Sequence, residues 1–256
     1  MQDAVNIPTA TATHRREWRD AEEESSKIIR FYGITEWGAS PQVFYEDCLR
    51  WESSTNLQEL TLHEMGIHDI DPIVTLVLMS RSLEYLDVSS NPAIGDDGAT
   101  QLAIATSNHQ LATLCLAGCT ITDRGAQQLA LHSTVTNLHL HNNQISDAGA
   151  VALLDNTNFE TLTLAQNQIG NTGAAAIAPI LANTTRSLVY LSLFANHEIT
   201  TVKPFVVALE AAGATSSLRT LVLTPNSSIS RTGEQPLLRR IREVLLARRD
   251  QDDERR

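Results

Sequence analysis

Asp87, Cys115 and His139 are the side chains of this 256-residue chain whose types and spacing could do chemistry. They occupy one position in successive copies of a recurring pattern. That places them on adjacent strands of one sheet, about 5 Å apart. A Cys–His pair can act as a nucleophile with its base. A triad, however, needs the base in the middle, oriented by the third group. Here the thiol is in the middle, so Asp87 cannot orient His139. No Gly-rich turn or helix start beside them supplies an oxyanion site. Metal binding is the other chemistry. His139 and His141 point to one side of a strand, roughly 6.5–7 Å apart by strand rise, with Cys115 next to them. Zinc sites use tighter and more distinctive spacings, and His63 lies three strands away. These residues therefore read as polar contacts, with no catalytic residue, no metal and no cofactor.

The elements that position them come from an internal repeat, which decides the fold before anything else. The pattern apolar-x-x-L-x-apolar-x-x-N-x-x starts at Leu57, Leu83, Leu111, Val135, Phe159, Leu188 and Leu218. In each copy alternate side chains point the same way, so Leu138 and Leu140 face inward while His139 and His141 face outward. The following Asn, such as Asn143 or Asn167, can bond backbone groups of its turn and its neighbour. Cys119 holds that place in one copy. Ile94, Ile121, Ile145 and Ile169 anchor the turn. Ser146-Asp147-Ala148-Gly149-Ala150 then reads as a helix start with Ser146 as the cap. Gly-Ala there lets the helix approach the strand, and Leu129 with Ala130 closes the unit on the core side.

The copies LEYLDVSSNPAIGDDGATQLA, LATLCLAGCTITDRGAQQLA, VTNLHLHNNQISDAGAVALL and FETLTLAQNQIGNTGAAAIA resemble leucine-rich repeats of the ribonuclease-inhibitor-like subclass. The G-A-x-x-L-A helix start is typical of that subclass. The resemblance covers residues 57–230. It implies an α/β solenoid, a horseshoe of about seven repeats, with a parallel inner sheet, outer helices and helical caps at both ends. The repeats are also similar to those of bacterial GALA-type effectors and of the GTPase activator of Ran. The terminal copies depart from the pattern, as repeats that meet caps do. Met65 replaces the Asn and Asp71-Pro72 opens the helix of the first. Lys203-Pro204 replaces Gly-Ala in the sixth, and Pro225 precedes Asn226 in the seventh.

The flanks read as follows. Residues 1–14 are polar and unpatterned, expected to lack structure. Residues 15–56 form a helical cap: one helix over 15–31 with Trp18, Ile28, Ile29 and Phe31 apolar, and a second opened by Ser40-Pro41. Residues 231–256 supply a capping helix opened by Gln235-Pro236 and a charged tail that frays from Asp250. Leu237, Leu238, Ile241, Val244 and Leu245 make one apolar stripe on that helix.

Composition narrows the function. Aromatics are 5% and charged residues 19%, and the net charge is −11. Residues 1–55 carry six Lys/Arg and ten Asp/Glu, residues 56–230 five and fourteen, and residues 231–256 eight and six. An acidic middle argues against nucleic acid and membrane surfaces. No stretch is long and apolar enough to span a bilayer. Met1 to Ala12 has no secretory pattern, and three cysteines make no disulfide framework. The expectation is a cytoplasmic protein, monomeric until bound. Asn183-Thr184-Thr185 and Asn226-Ser227-Ser228 match glycosylation acceptors but read as turns.

The outward strand positions form three columns on the concave face. The first holds Glu59, Tyr85, Thr113, Asn137, Thr161, Tyr190 and Thr220. The second holds Thr61, Asp87, Cys115, His139, Thr163, Ser192 and Val222. The third holds His63, Ser89, Ala117, His141, Ala165, Phe194 and Thr224. Aromatics are the usual anchors of an interface. The expected partner-binding residues are therefore Tyr85, Tyr190 and Phe194, with His63, Asp87, His139 and His141 adding polar contacts. The expected function is a non-catalytic scaffold or adaptor for a protein partner, basic to match the acidic surface. An architectural subunit of a large assembly is the alternative. A GTPase regulator would need a placed arginine, and nothing marks Arg81, Arg124, Arg186 or Arg219 for it. A GALA-type effector would carry an F-box, and residues 15–55 show none.

Overall fold

Alternating Leu-x-Leu segments separated by helical stretches give parallel strands joined by outer helices. The computed structural model describes residues 57–107, 110–182, 187–213, 216–224 and 234–255, with the backbone of 5–7 and 28–32. Its strands are β1 (Val5–Ile7), β2 (Ile28–Tyr32), β3 (Glu59–His63), β4 (Tyr85–Asp87), β5 (Thr113–Cys115), β6 (Asn137–His139), β7 (Thr161–Thr163), β8 (Tyr190–Ser192) and β9 (Thr220–Val222). The helices are α1 (Asp71–Met79), α2 (Gly95–Thr106), α3 (Asp123–His132), α4 (Asp147–Asp155), α5 (Asn171–Leu181), α6 (Lys203–Ala212) and α7 (Gln235–Arg255). The strands form one sheet in chain order, every neighbouring pair parallel. From β3 onward a helix follows each strand.

The core lies between sheet and helices as a continuous row. Leu86, Leu114, Leu138, Leu162 and Leu191 from the strands meet Leu102, Leu129, Leu153, Ile177 and Leu209 from the helices, all fully buried. Helices α1 to α6, 9 to 12 residues long, are too short to hold themselves in water and depend on this burial. Proline opens α1, α6 and α7, where its missing N–H would be unpaired anyway.

The turn after each strand carries the buried Asn as a clamp between repeats. Asn143 Oδ1 accepts from the Cys119 and Ile121 N–H groups, at 3.1 and 2.9 Å, while its Nδ2 donates to the Leu116 and Leu140 carbonyls. Asn91 repeats the arrangement, and Asn167 and Asn196, each accepting from one N–H, repeat most of it. Cys119 fills the same place with its thiol on the Val88 carbonyl. The residue before each clamp has left-handed backbone: Ser90, Gly118, Asn142, Gln166 and Ala195, with φ between 55° and 64°. Only one of these is glycine. The Asn bonds therefore hold a conformation that costs an L-residue about 1–2 kcal/mol.

A second series of bonds ties helix starts together. Asp96 Oδ1 accepts from the Thr122 and Gly125 N–H groups, at 2.7 and 3.1 Å, and its Oδ2 from the Thr122 hydroxyl. Asp123 does the same for Ser146 and Gly149, and Asp147 accepts from the Gly170 N–H. Ser146 is thus not the side-chain cap expected of it. Its hydroxyl donates to the stronger acceptor, the Asp123 carboxylate, and α4 starts without a side-chain cap. The glycines also differ from expectation. A Cβ on Gly125 would lie 2.6 Å from Asp96 Oδ1, and Gly149 and Gly173 face Asp123 and Asp147 in the same way. Glycine here makes room for the previous repeat's carboxylate as well as for the Ile of its own turn.

The N-terminal flank brings two corrections. Residues 28–32 are the strand β2, not the end of a helix, paired in register Ile29↔Leu60 and Phe31↔Leu62. Val5–Ile7, expected to lack structure, adds β1 to β2. Ile-Ile-Arg-Phe-Tyr is β-branched and aromatic with the period of the other strands. The unpaired edge of β3 favours a strand over a helix there. The expected helix at Ser40-Pro41, the tryptophans and both Asn-x-Ser/Thr motifs lie outside the described residues. At the other end α7 continues through the expected frayed tail to Arg255. Ile241 and Leu245 are buried, with Leu237, Leu238 and Val244 packed against the core. Arg248, 2% exposed, reaches under the helix and donates to the Leu209, Gly213 and Leu218 carbonyls.

Candidate interaction surface

The sheet register assembles the columns on one face. Tyr85, Thr113, Asn137, Thr161, Tyr190 and Thr220 are successive Cα partners, as are Thr61, Asp87, Cys115, His139, Thr163, Ser192 and Val222. The third column continues the ladder beyond the strands: Ser90, Gly118, Asn142 and Gln166 donate to the carbonyls of Ala117, His141, Ala165 and Phe194. Small buried side chains make the floor, namely Thr61, Ser89, Cys115, Ala117 and Ser192. Tyr85, Asp87, His139, Tyr190 and Phe194 are half-buried among them, and His141 is partly covered but more exposed than these.

These side chains form two groups. Tyr85, Asp87 and Cys115 adjoin at β4 and β5. The Cys115 thiol donates to the Tyr85 hydroxyl at 3.5 Å, and Asp87 accepts from the Ser89 N–H at 2.8 Å. Burial, and then the Cys115 bond, hold the Tyr85 phenol well above its ordinary value. Burial pushes the Cys115 thiol up to about 12, against the opposing Tyr85 bond. His139 and His141 follow on β6. Burial lowers the His139 pKa first, His141 lowers it further, and Asp87 opposes both. Burial likewise lowers His141, with Asp87 opposing and His63 adding to it. Asp87 is thus the shared counter-charge of this histidine group.

Tyr190, which opens β8, and Phe194, two residues past its end, stand apart. They are about 13 Å from each other by strand rise, and Tyr190 is about 19 Å from Tyr85 across four strand spacings. Thr113, Asn137 and Thr161 fill the interval. The aromatic anchors are therefore three separated points on a small-residue surface.

The Cys115–His139 pair is not poised for nucleophilic attack. The sulfur is engaged with Tyr85 and stays protonated at neutral pH, whereas a nucleophile must be a thiolate. His139 Nδ1 instead meets Thr163 Oγ1 at 3.2 Å. Among the described residues no group of three or more His, Cys, Asp or Glu is placed to hold a metal ion. Arg124 pairs with Asp96 and Asp97 beside the helix starts, and Arg219 donates to the Ser216 and Leu218 carbonyls. Arg186 lies outside the described residues. The Tyr85–Cys115 and His139–Thr163 contacts were not foreseen. The repeat spacing sets His139 beside Thr163 but puts Tyr85 and Cys115 in different columns, and side-chain reach decides both contacts.

The family model of the leucine-rich repeat matches residues 80–103, 107–130, 132–154 and 155–178. No curated protein matches the chain. Among solved structures, the TLR13–ssRNA13 complex is similar at 22% identity over 66% of this chain and 22% of that one, with a TM-score of 0.46. The chain thus spans about a fifth of the TLR13 chain. Leiomodin-1 actin-binding site 2 is similar at 16% identity over 80% of this chain and 99% of that one, TM-score 0.43. The tropomodulin C-terminal domain of Caenorhabditis elegans is similar at 16% identity over 82% and 96%, TM-score 0.34.

Proposed function

We propose that this chain, a leucine-rich repeat protein, is a non-catalytic scaffold that holds a protein partner on its concave face. The observation that carries the reading is the column register. It sets Tyr85, Tyr190 and Phe194 half-exposed on one rigid sheet, with His63, Asp87, His139 and His141 between and beside them. A preorganised surface loses little entropy when it binds, and separated aromatics on a floor of small residues suit an extended or ridged partner. Glu59 and Asp87 are the charged residues of the columns, and no Lys or Arg joins them. That supports a basic partner. The helix in every described repeat from β3 to β8 supports the ribonuclease-inhibitor-like subclass.

Capture from native cells under mild cross-linking tests this. One near-stoichiometric partner, lost with Tyr190→Ala/Phe194→Ala, is the expected result. Capture that the double variant leaves unchanged counts against the concave face.

One observation favours the alternative, an architectural subunit buried on its outer side. Leu78, Ile104 and Leu131 occupy equivalent places on α1, α2 and α3 and are 59%, 53% and 71% exposed. An apolar stripe of this kind marks a contact surface. Under that reading a whole assembly is captured, and Leu78→Ser/Ile104→Ser/Leu131→Ser releases it.

A further inference from the structure

The sheet ends at β9, and its outer edge is open among the described residues. Thr220 donates back to the Val189 carbonyl, and the Val222 carbonyl accepts from the Leu193 N–H. The alternate residue, Leu221, therefore turns its N–H and C=O away from β8. Beside that edge runs a groove of about 600 Å³ between β9 and α7. Leu238 and the 48%-exposed Leu246 give it an apolar side.

The charge of this groove is opposite to that of the chain. Arg239, Arg242 and Arg249 line it, and no Asp or Glu is among its described lining residues, in a protein of net charge −11. The nearby arginines divide by task. Arg248 is spent on three backbone carbonyls and Arg240 on Glu210 and Glu243. Arg249 reaches over β9 to the Thr220 hydroxyl. Arg239 and Arg242 are exposed and have no hydrogen bond or ion pair among the described residues. An unpaired edge strand is a template for another strand, and guanidinium groups pair with carboxylates in two-point fashion.

We propose that this groove takes an extended acidic segment of a partner protein, added to β9 as a further strand. Its backbone bonds Leu221, its apolar side chains rest on Leu238 and Leu246, and its carboxylates meet Arg239 and Arg242. The site adjoins the end of the concave face, whose last column residues Thr220, Val222 and Thr224 also line it, but it is acidic-selective through Arg239 and Arg242, whereas the concave face suits a basic partner. The two therefore fail or stand independently.

The test uses the full chain and three fluorescein-labelled eight-residue probes: alternating Glu and Val, alternating Lys and Val, and the Glu–Val peptide N-methylated at alternate residues. Anisotropy is expected to show binding of the Glu–Val probe that weakens with added salt. At least tenfold weaker binding is expected for the Lys–Val and N-methylated probes, and for Glu–Val with Arg239→Glu/Arg242→Glu. Circular dichroism of that variant, altered only at exposed residues, is expected to match wild type. Equal binding of the acidic and basic probes, or no effect of the charge reversal, overturns the proposal. So does equal binding of the N-methylated probe, since strand addition needs those N–H groups. A dimer in sedimentation velocity that the charge reversal dissolves would assign the groove to a second copy and overturn it too.

Discussion

At the scale of the residue, buried polar side chains hold the turns. Asn143, only 8% exposed, satisfies two N–H groups and two carbonyls, so its loss orphans all of them. Asn143→Ala is expected to lower stability by about 3 kcal/mol, read as a shifted denaturant midpoint. An unchanged midpoint would contradict the clamp. Leu140→Ala, at a fully buried site, is expected to cost about 2–5 kcal/mol. The cysteines give a chemical readout. Burial pushes both Cys115 and Cys119 up to about 12, and reactivity follows the thiolate. In the folded protein at pH 8, maleimide labelling followed by peptide mapping should leave both unmodified, and both should react in urea. Fast native labelling of Cys115 would return it to consideration as a nucleophile.

At the scale of the element, helix starts are linked by the Asp96, Asp123 and Asp147 carboxylates. Burial opposes ionisation of Asp96. The hydroxyl and N–H of Thr122, the N–H of Gly125 and the Arg124 side chain outweigh that and hold its pKa below the usual value. Gly149→Ala pushes a methyl against Asp123 and is expected to cost about 1–3 kcal/mol. In a cycle with Asp123→Ala the two costs should not add, because the second change removes the first one's nearest obstacle. Strict additivity in thermal or denaturant melts would show that the glycine is required for another reason. The repeat periods revealed the strands, the helices and the clamps, since burial imposes periods of two and 3.6 on the sequence. The Asp series is also written there, as D-D-G at 96–98, D-R-G at 123–125 and D-A-G at 147–149. It was read as helix capping within one repeat, and its partners lie in the next. The sequence over β2 favours a helix because Ile28 and Phe31 fit a helical stripe as well as a strand. The open edge of β3, invisible locally, decided it.

At the scale of the whole molecule, register turns seven scattered positions into one surface. Those positions were legible as columns. The contacts Tyr85–Cys115 and His139–Thr163 were not, because they depend on side-chain reach across strands. The histidines couple this surface to pH. Folding lowers the pKa of His139 and His141, so near and below the unfolded value of about 6.5 the unfolded chain binds more protons. Their contribution is full above that pH and is lost as pH falls through the lower folded values. Wild type should therefore lose denaturant resistance between pH 7.5 and 5.5, and His139→Asn/His141→Asn should lose less. Equal losses would contradict the shift.

The central claim, that the concave face is where a partner sits, is tested most directly by photo-crosslinking in native cells. p-Benzoylphenylalanine is placed at Thr161, in the first column between Asn137 and Tyr190, or at Leu131 on the outer face. The account predicts a discrete cross-linked protein from the Thr161 site and none from Leu131. Cross-links from Leu131 alone would contradict it and move the interface to the convex helices.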